Sequence, residues 1–312
     1  PEIAARALLN GGSTWQKNYY LPRIASGEFL TAIAITEPDY GSDVAALIFS
    51  ATKVNGGWRL NGAKTWCTFA GKADIIVVIA RTSQDKTKSY LGLSMFFVKK
   101  PRFEGHSFKY SNPLGGSLVG NSIPTIGYRG MHSYDLKFED YFVPDSVLVG
   151  EEQGIGQGFY LIMTGLTGGR VQTAARATGI IKASTEEAIN YSRSRKVFSR
   201  RVADFQLTQI KIARMVMALI SAQQFSYVVA KLIDSGAGRM EASLVKLYSC
   251  RTAEWVTREA MQLHGGSGYA EESSVSRYFV DARVLSIFEG TEETLALKVI
   301  ARELIKKQTS RS

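Results

Sequence analysis

The chain has 312 residues, 45% of them hydrophobic and 21% charged, which is enough to bury two modest cores and excludes a disordered segment. Its formal net charge of +10 suits an anionic partner, either a phosphate-bearing small molecule or a nucleic acid, without choosing between them. Cys67 and Cys250 are the only cysteines and neither lies in a CxxC pair, so neither a disulfide framework nor a zinc site is expected, and a reducing compartment fits.

His106, His132 and His264 lie far apart in sequence without ligand spacing, and no metal site is expected. No run of 18 apolar residues is present, and the opening PEIAARALLNGGSTWQ lacks the charged start and apolar core of a signal peptide. The chain therefore reads as soluble, with no membrane partner.

In chain order, residues 1–29 read as the end of a helical domain closed by LPRIASGE. Between 30 and 149 the segments FLTAIAIT, LIFSATKV, GWRLNGAKTW, ADIIVVIART, LSMFFVKK, TIGYRGM and YDLKFEDYFV read as seven strands, separated by turn signals such as NGG. Seven short strands imply a β domain of barrel or sandwich type. From 150 to 312 the spacing of apolar residues becomes helical. Four long amphipathic segments, starting near QGFYLIM, ADFQLTQ, RMEASLV and TEETLAL, predict an antiparallel four-helix bundle. The glycine-rich GIGQGF at 154–159 has the wrong spacing for a dinucleotide fingerprint and reads as a loop entering a helix. Basic residues are scattered apart from KKPR at 99–102 and SRSRKVFSRR at 192–201, with few aromatics beside them, so nucleic-acid binding is not expected.

Three polar segments stand out: AITEPDYGSD at 34–43, TWCTFAGKAD at 65–74 and SIFEGTEE at 286–293. Taken singly, the first is a turn-rich loop, the second a strand with an inward tryptophan, and the third a helix start with Thr291 as cap and Glu293 in the first turn. Together and in this order they resemble the acyl-CoA dehydrogenase family, as do RGMHSYDLKFEDYFVP, GGRVQTAARATG, SRKVFSRRVADFQ and MQLHGGSGY. The resemblance runs from about residue 15 to 305. The stretch from FFVKKPRFEG to YDLKF looks most like the branch that oxidises 2-methylsuccinyl-CoA, next to branches acting on short branched acyl-CoAs.

This resemblance implies an α+β multidomain fold, with a middle β domain and a C-terminal four-helix bundle, and FAD as cofactor. The family begins with an all-helical domain that is mostly absent here, so the chain is expected to be a piece of a longer protein, the alternative being an enzyme that has lost this wall of the acyl pocket. Thr36 and Ser42 would touch the flavin ring and the CoA portion of the substrate, and Trp66 and Thr68 would flank the ring. Arg195, Phe198 and Gln206 match a segment that reaches the FAD pyrophosphate and adenine of a neighbouring subunit; a guanidinium suits a diphosphate in charge and in geometry. Gln262, Gly265 and Gly266 match a turn approaching the neighbour's FAD, and Thr291 would lie near the adenosine of FAD.

Ser42, Arg170, Phe288 and Gly290 are expected to line the substrate. Oxidation of an acyl-CoA to its 2-enoyl product needs a base at the α-carbon and a hydride acceptor near the β-carbon. Glu289 is the expected base, its pKa raised by desolvation beside Phe288. The resemblance also implies that the thioester oxygen accepts from the Glu289 backbone N–H and a ribityl hydroxyl. Some branches carry the base just before the arginine matched by Arg170; Gly169 leaves no rival carboxylate there. Thr167 and Glu293 depart from the acidic residue and the glutamine that many relatives carry. The implied partners are an acyl-CoA, an electron-transfer flavoprotein and further copies of the chain in a dimer of dimers. The implied home is a bacterial or archaeal cytoplasm or a mitochondrial matrix. An oxidase-type flavoenzyme and a catalytically silent subunit are the alternatives, and retention of FEGT, Trp66 and Arg195 argues against silence.

Overall fold

The computed structural model describes residues 1–309 and divides them into two compact units, 1–125 with 129–166, and 126–128 with the remainder from 167. The first unit opens with helices α1 (Glu2–Gly11) and α2 (Thr14–Ala25). Ser13 starts α2 through a reciprocal capping box, its hydroxyl accepting from Gln16 N while the Gln16 side chain accepts from Ser13 N.

Eight strands then form one sheet: β1 (Thr31–Ala34), β2 (Ser50–Val54), β3 (Gly57–Thr68), β4 (Ile75–Arg81), β5 (Leu93–Lys99), β6 (Ser107–Ser111), β7 (Ser117–Ser122) and β8 (Ser133–Pro144). Their order is β1-β4-β2-β3-β8-β7-β6, with β5 paired antiparallel to β4. The continuous apolar runs IIVVIA and LSMFFV are explained by burial on both faces. In β4, Ile76, Val78 and Ala80 join a core with Phe49, Trp58 and Phe138, while Ile75, Val77 and Ile79 join Tyr20, Phe97 and Leu161 on the other side. The period of two thus serves two cores at once.

Two expectations change. Strands β6 and β7 were not among the seven, because SFKYS and SLVGNS are largely polar and pair as an outlying hairpin turned by Gly115 and Gly116, both at positive φ. TIGYRGM is not a strand: Tyr128 and Gly130 have φ of 56° and 91°, and Tyr128 N donates to Asp281 rather than to a ladder. Close backbone packing also explains one glycine at the end of this unit. A Cβ on Gly154 would stand 1.7 Å from the Val149 carbonyl oxygen, so Gly154→Ala is expected to lower stability by about 1–3 kcal/mol, read as a lower denaturant midpoint at unchanged slope.

GIGQGF leads into α3 (Gly158–Ser194), which continues into the second unit from residue 167. A ribbon of Lys196–Val197 and Arg200–Arg201 precedes α4 (Gln206–Asp234) and α5 (Arg239–His264). The fourth expected helix is interrupted, running as Glu292–Leu295, a π-helical turn at Ala296–Ala301, and Arg302–Thr309. A further helix, α6 (Ser274–Leu285), packs on α5; its short, polar-rich SVSRYFVDARVL gives a weak periodic signal. Buried Ala177, Ala188, Ala222, Ala253, Ala260 and Ala282 let these helices approach closely around Ile181, Met215 and Leu285.

Candidate active site

The segment after α6 is shaped by two consecutive residues at positive φ, Glu289 at 57° and Gly290 at 98°. Thr291 follows as a true N-cap, its hydroxyl accepting from Thr294 N. A glutamate in the left-handed region is costly and persists where its surroundings hold it. Those surroundings are visible. Thr173 Oγ1 donates to Glu289 Oε2 at 2.7 Å, Arg176 Nη2 reaches Oε1 at 3.3 Å, and Lys246 Nζ donates to the Gly290 carbonyl at 2.8 Å. Arg176 also donates to the Tyr128 hydroxyl at 2.6 Å and lies over the Phe288 ring, which meets Tyr128 edge-on.

Burial pushes the Glu289 carboxyl above its ordinary range, opposed by the Thr173 hydrogen bond and by Arg176 and Lys246. Arg170, only 6% exposed, has its Nε without a partner, and burial, with Arg239 nearby, brings its guanidinium down to about 10. One desolvated carboxylate therefore faces three cations, at the end of a loop carrying an aromatic ring.

Because the folded pKa of Glu289 is raised, its contribution to stability is fully present below the unfolded value of about 4.5 and is lost as pH rises through the folded value. Glu289→Gln is therefore expected to melt at a higher temperature than the parent at pH 7, with the gap closing towards pH 4. Melting curves across that range check it; a lower Tm for the variant at pH 7 would contradict the raised pKa.

Glu289, Arg170, Phe288 and Gly290 are brought together, joined by Thr173, Arg176, Lys246 and Tyr128, which sequence reasoning missed. Arg170, Thr173 and Arg176 are spaced three apart on α3, a signal that was available in GGRVQTAARATG. Lys246 and Tyr128 carried no such signal.

The expected cofactor residues fall in both units. In the first, the Thr36 carbonyl accepts from Thr65 N at 2.9 Å, Ser42 is exposed, and Thr68 Oγ1 pairs with Ser133 Oγ at 2.9 Å. Trp66 sits at φ 57° where the β3–β8 register slips, and is 55% exposed. In the second unit, Arg195 is exposed, and Phe198, at φ 49°, is 92% exposed in the turn of the ribbon. Exposed Gln206 opens α4, and the Gln262 carbonyl accepts from Gly265 N at 3.2 Å. Space is open where side chains on Gly265 and Gly266 would stand. The Thr291 hydroxyl also donates to Thr294 Oγ1 at 3.0 Å.

The chain belongs to the acyl-CoA dehydrogenase family: the family models for its middle domain and its C-terminal domain match residues 32–141 and 156–305. It is 39% identical over 306 residues to (2S)-methylsuccinyl-CoA dehydrogenase of Cereibacter sphaeroides, covering 97% of this chain and 54% of that relative. To the mitochondrial 2-methylacyl-CoA dehydrogenase of Solanum tuberosum it is 36% identical over 307 residues, covering 98% of this chain and 70% of that one. The chain thus spans about half the length of the first relative and over two thirds of the second. The solved acyl-CoA dehydrogenase of Geobacillus kaustophilus superimposes with a TM-score of 0.87 at 31% identity, over 97% of this chain and 76% of that one.

Proposed function

We propose that this chain forms the flavin-binding and catalytic part of an FAD-dependent acyl-CoA dehydrogenase in which Glu289 removes the substrate α-proton. The observation that carries the reading is the Glu289 carboxylate, desolvated, raised in pKa and fixed on a strained loop beside Phe288. Its pKa lies nearer working pH than an ordinary glutamate, which makes it a stronger base once it ionises in a dry site.

The residues present fit the cofactor. Trp66 offers a largely exposed ring with Thr68 two residues on, Arg195 is exposed beside a nearly bare Phe198, and the Gly265–Gly266 turn leaves backbone room for a close approach. Thr36, Ser42, Trp66 and Thr68 would hold the ring side. Arg195, Phe198, Gln206, Gln262, Gly265 and Gly266 would hold the diphosphate and adenine side in trans, and Thr291 would lie near the adenosine. When bound, FAD supplies the hydride acceptor for the substrate β-carbon. On the chain's side, the Glu289 backbone N–H is the donor for the thioester oxygen, which strengthens its hold as negative charge grows there. Glu289 takes the proton while Thr173 and Arg176 fix its carboxylate; Arg170, Phe288 and Gly290 would line the acyl thioester beside it.

The substrate class we favour is a short branched or dicarboxylic acyl-CoA such as 2-methylsuccinyl-CoA, supported by what the two relatives are named for. An electron-transfer flavoprotein would receive the electrons, in a bacterial cytoplasm or a mitochondrial matrix. Helix α4 is long and apolar enough to cross a membrane, yet we read its exposed Ile210, Met217, Ile220, Tyr227 and Val228 as a contact with further copies in a dimer of dimers.

Anaerobic titration of the flavin-loaded, full-length protein with acyl-CoA esters tests the reading. Bleaching of the flavin absorbance by 2-methylsuccinyl-CoA or a short branched ester supports it. Bound flavin that no ester bleaches would favour a silent subunit, and fast reoxidation by oxygen an oxidase.

A further inference from the structure

We infer that the buried Glu37–Lys64 ion pair is a positioning device that holds segments 36–43 and 64–68, the proposed ring side of the flavin cradle, in their binding arrangement before the cofactor arrives. This rests on the flavin reading above, but the observations are independent of it. Lys64 is 1% exposed and Glu37 3%, and the two lie 2.9 Å apart inside the β unit. Burial pulls the Lys64 ammonium down to about 8, with Glu37 opposing. Such a pair is weak evidence for stability, because apolar residues of the same volume often serve as well or better. Its presence calls for a task that apolar residues cannot perform.

The hydrogen bonds show that task. The two carboxylate oxygens of Glu37 accept from Ile48 N at 2.8 Å and Phe49 N at 2.9 Å, and Oε1 also accepts from Lys64. The ammonium gives a second bond to the Ile35 carbonyl at 2.8 Å and rests 4.9 Å from the centre of the Phe49 ring. One carboxylate and one ammonium therefore tie together three stretches of backbone, 35–37, 48–49 and 64. Thr65 N donates to the Thr36 carbonyl next door, extending the link by one residue.

Trp66 gains most from this fastening. Side chains two apart on a strand share a face, so an ordinary β3 would bury Trp66 alongside Lys64. Instead the register against β8 slips between Lys64 and Cys67, Trp66 adopts φ 57°, and its ring is turned out while Lys64 and Cys67 on either side stay buried. A bulky residue in that region is strained and persists only where neighbours hold it. Lys64 before it and Cys67 after it are those neighbours, and Lys64 is fixed by Glu37, which follows Thr36 in the polar loop that also contains Ser42. The pair thus joins the loop and the outward tryptophan into one preset surface.

Two measurements decide. In the FAD-free, full-length parent, hydrogen exchange at the amides of Ile48, Phe49 and Thr65 is expected to be slow already and to change little when FAD is added. Protection that appears only with FAD would mean the cofactor itself orders the loop, and the inference falls. Glu37→Gln combined with Lys64→Met keeps one acceptor oxygen, enough for one of the two backbone amides, and an apolar filler for the lysine stem. It is expected to melt near the parent while FAD affinity falls about tenfold, the factor that follows if only about a tenth of molecules keep the binding arrangement. A folded double variant with parental FAD affinity overturns the inference; a variant that fails to fold leaves the exchange measurement on the parent to decide. A parent that takes up no FAD would instead sink the flavin reading itself.

Discussion

Glu289→Gln is expected to slow flavin reduction by an acyl-CoA by about 10²–10⁴-fold, the usual contribution of a positioned general base. The substitution preserves shape: its amide oxygen can still accept from Thr173 Oγ1, which lies 2.7 Å from the carboxylate, and the left-handed backbone at φ 57° is untouched. What it removes is the capacity to take a proton. Binding of the thioester should therefore survive, read as a change in the flavin spectrum on mixing, while the subsequent bleaching slows in stopped-flow traces. A fall of less than about tenfold would show that another group takes the proton, since a lost base costs more than that. Among the described residues no other carboxylate hydrogen-bonds to Thr173, Arg176 or Lys246, and Gly169 leaves nothing ahead of Arg170 to take over.

Gly290→Ala tests the loop rather than the acid. Gly290 sits at φ 98°, where an alanine is strained, and the added Cβ would stand 2.8 Å from Leu295 Cδ2. The expected outcome is a loss of about 1–3 kcal/mol in stability. Flavin reduction should also fall about 100-fold, because displacing a reacting group by about 1 Å has that effect. The Lys246 bond to the Gly290 carbonyl at 2.8 Å is the second anchor of this loop and should be lost or lengthened with it. Melting temperature and single-turnover reduction measure the two effects separately. A variant that is less stable yet reduces flavin at the parental rate would show that the glycine serves the fold alone.

The sequence by itself determined the class of each half. Patterns that repeat along one segment, such as alternation in YDLKFEDYFV or helical spacing in QLTQIKIARMVMAL, depend on local backbone geometry and can be read without knowing what the segment packs against. The ordered trio TEPDYGSD, TWCT and FEGT likewise carried the family and pointed to Glu289, because it is local chemistry set on fixed turns.

Tertiary structure decided the rest. The outlying hairpin β6–β7 is stabilised by pairing with β8 rather than by its own composition, and Tyr128 follows a hydrogen bond to Asp281, far away in sequence. Thr173 and Arg176 bond the Glu289 carboxylate, Tyr128 bonds Arg176, and Lys246 bonds the Gly290 carbonyl; that Tyr128 and Lys246 join a pair already spaced along one helix is a fact of tertiary packing. Glu37 and Lys64 make the same point: each reads locally as an exposed charge, and only the closing of the sheet turns them into a buried pair, since desolvation and partner choice are properties of three-dimensional neighbourhoods.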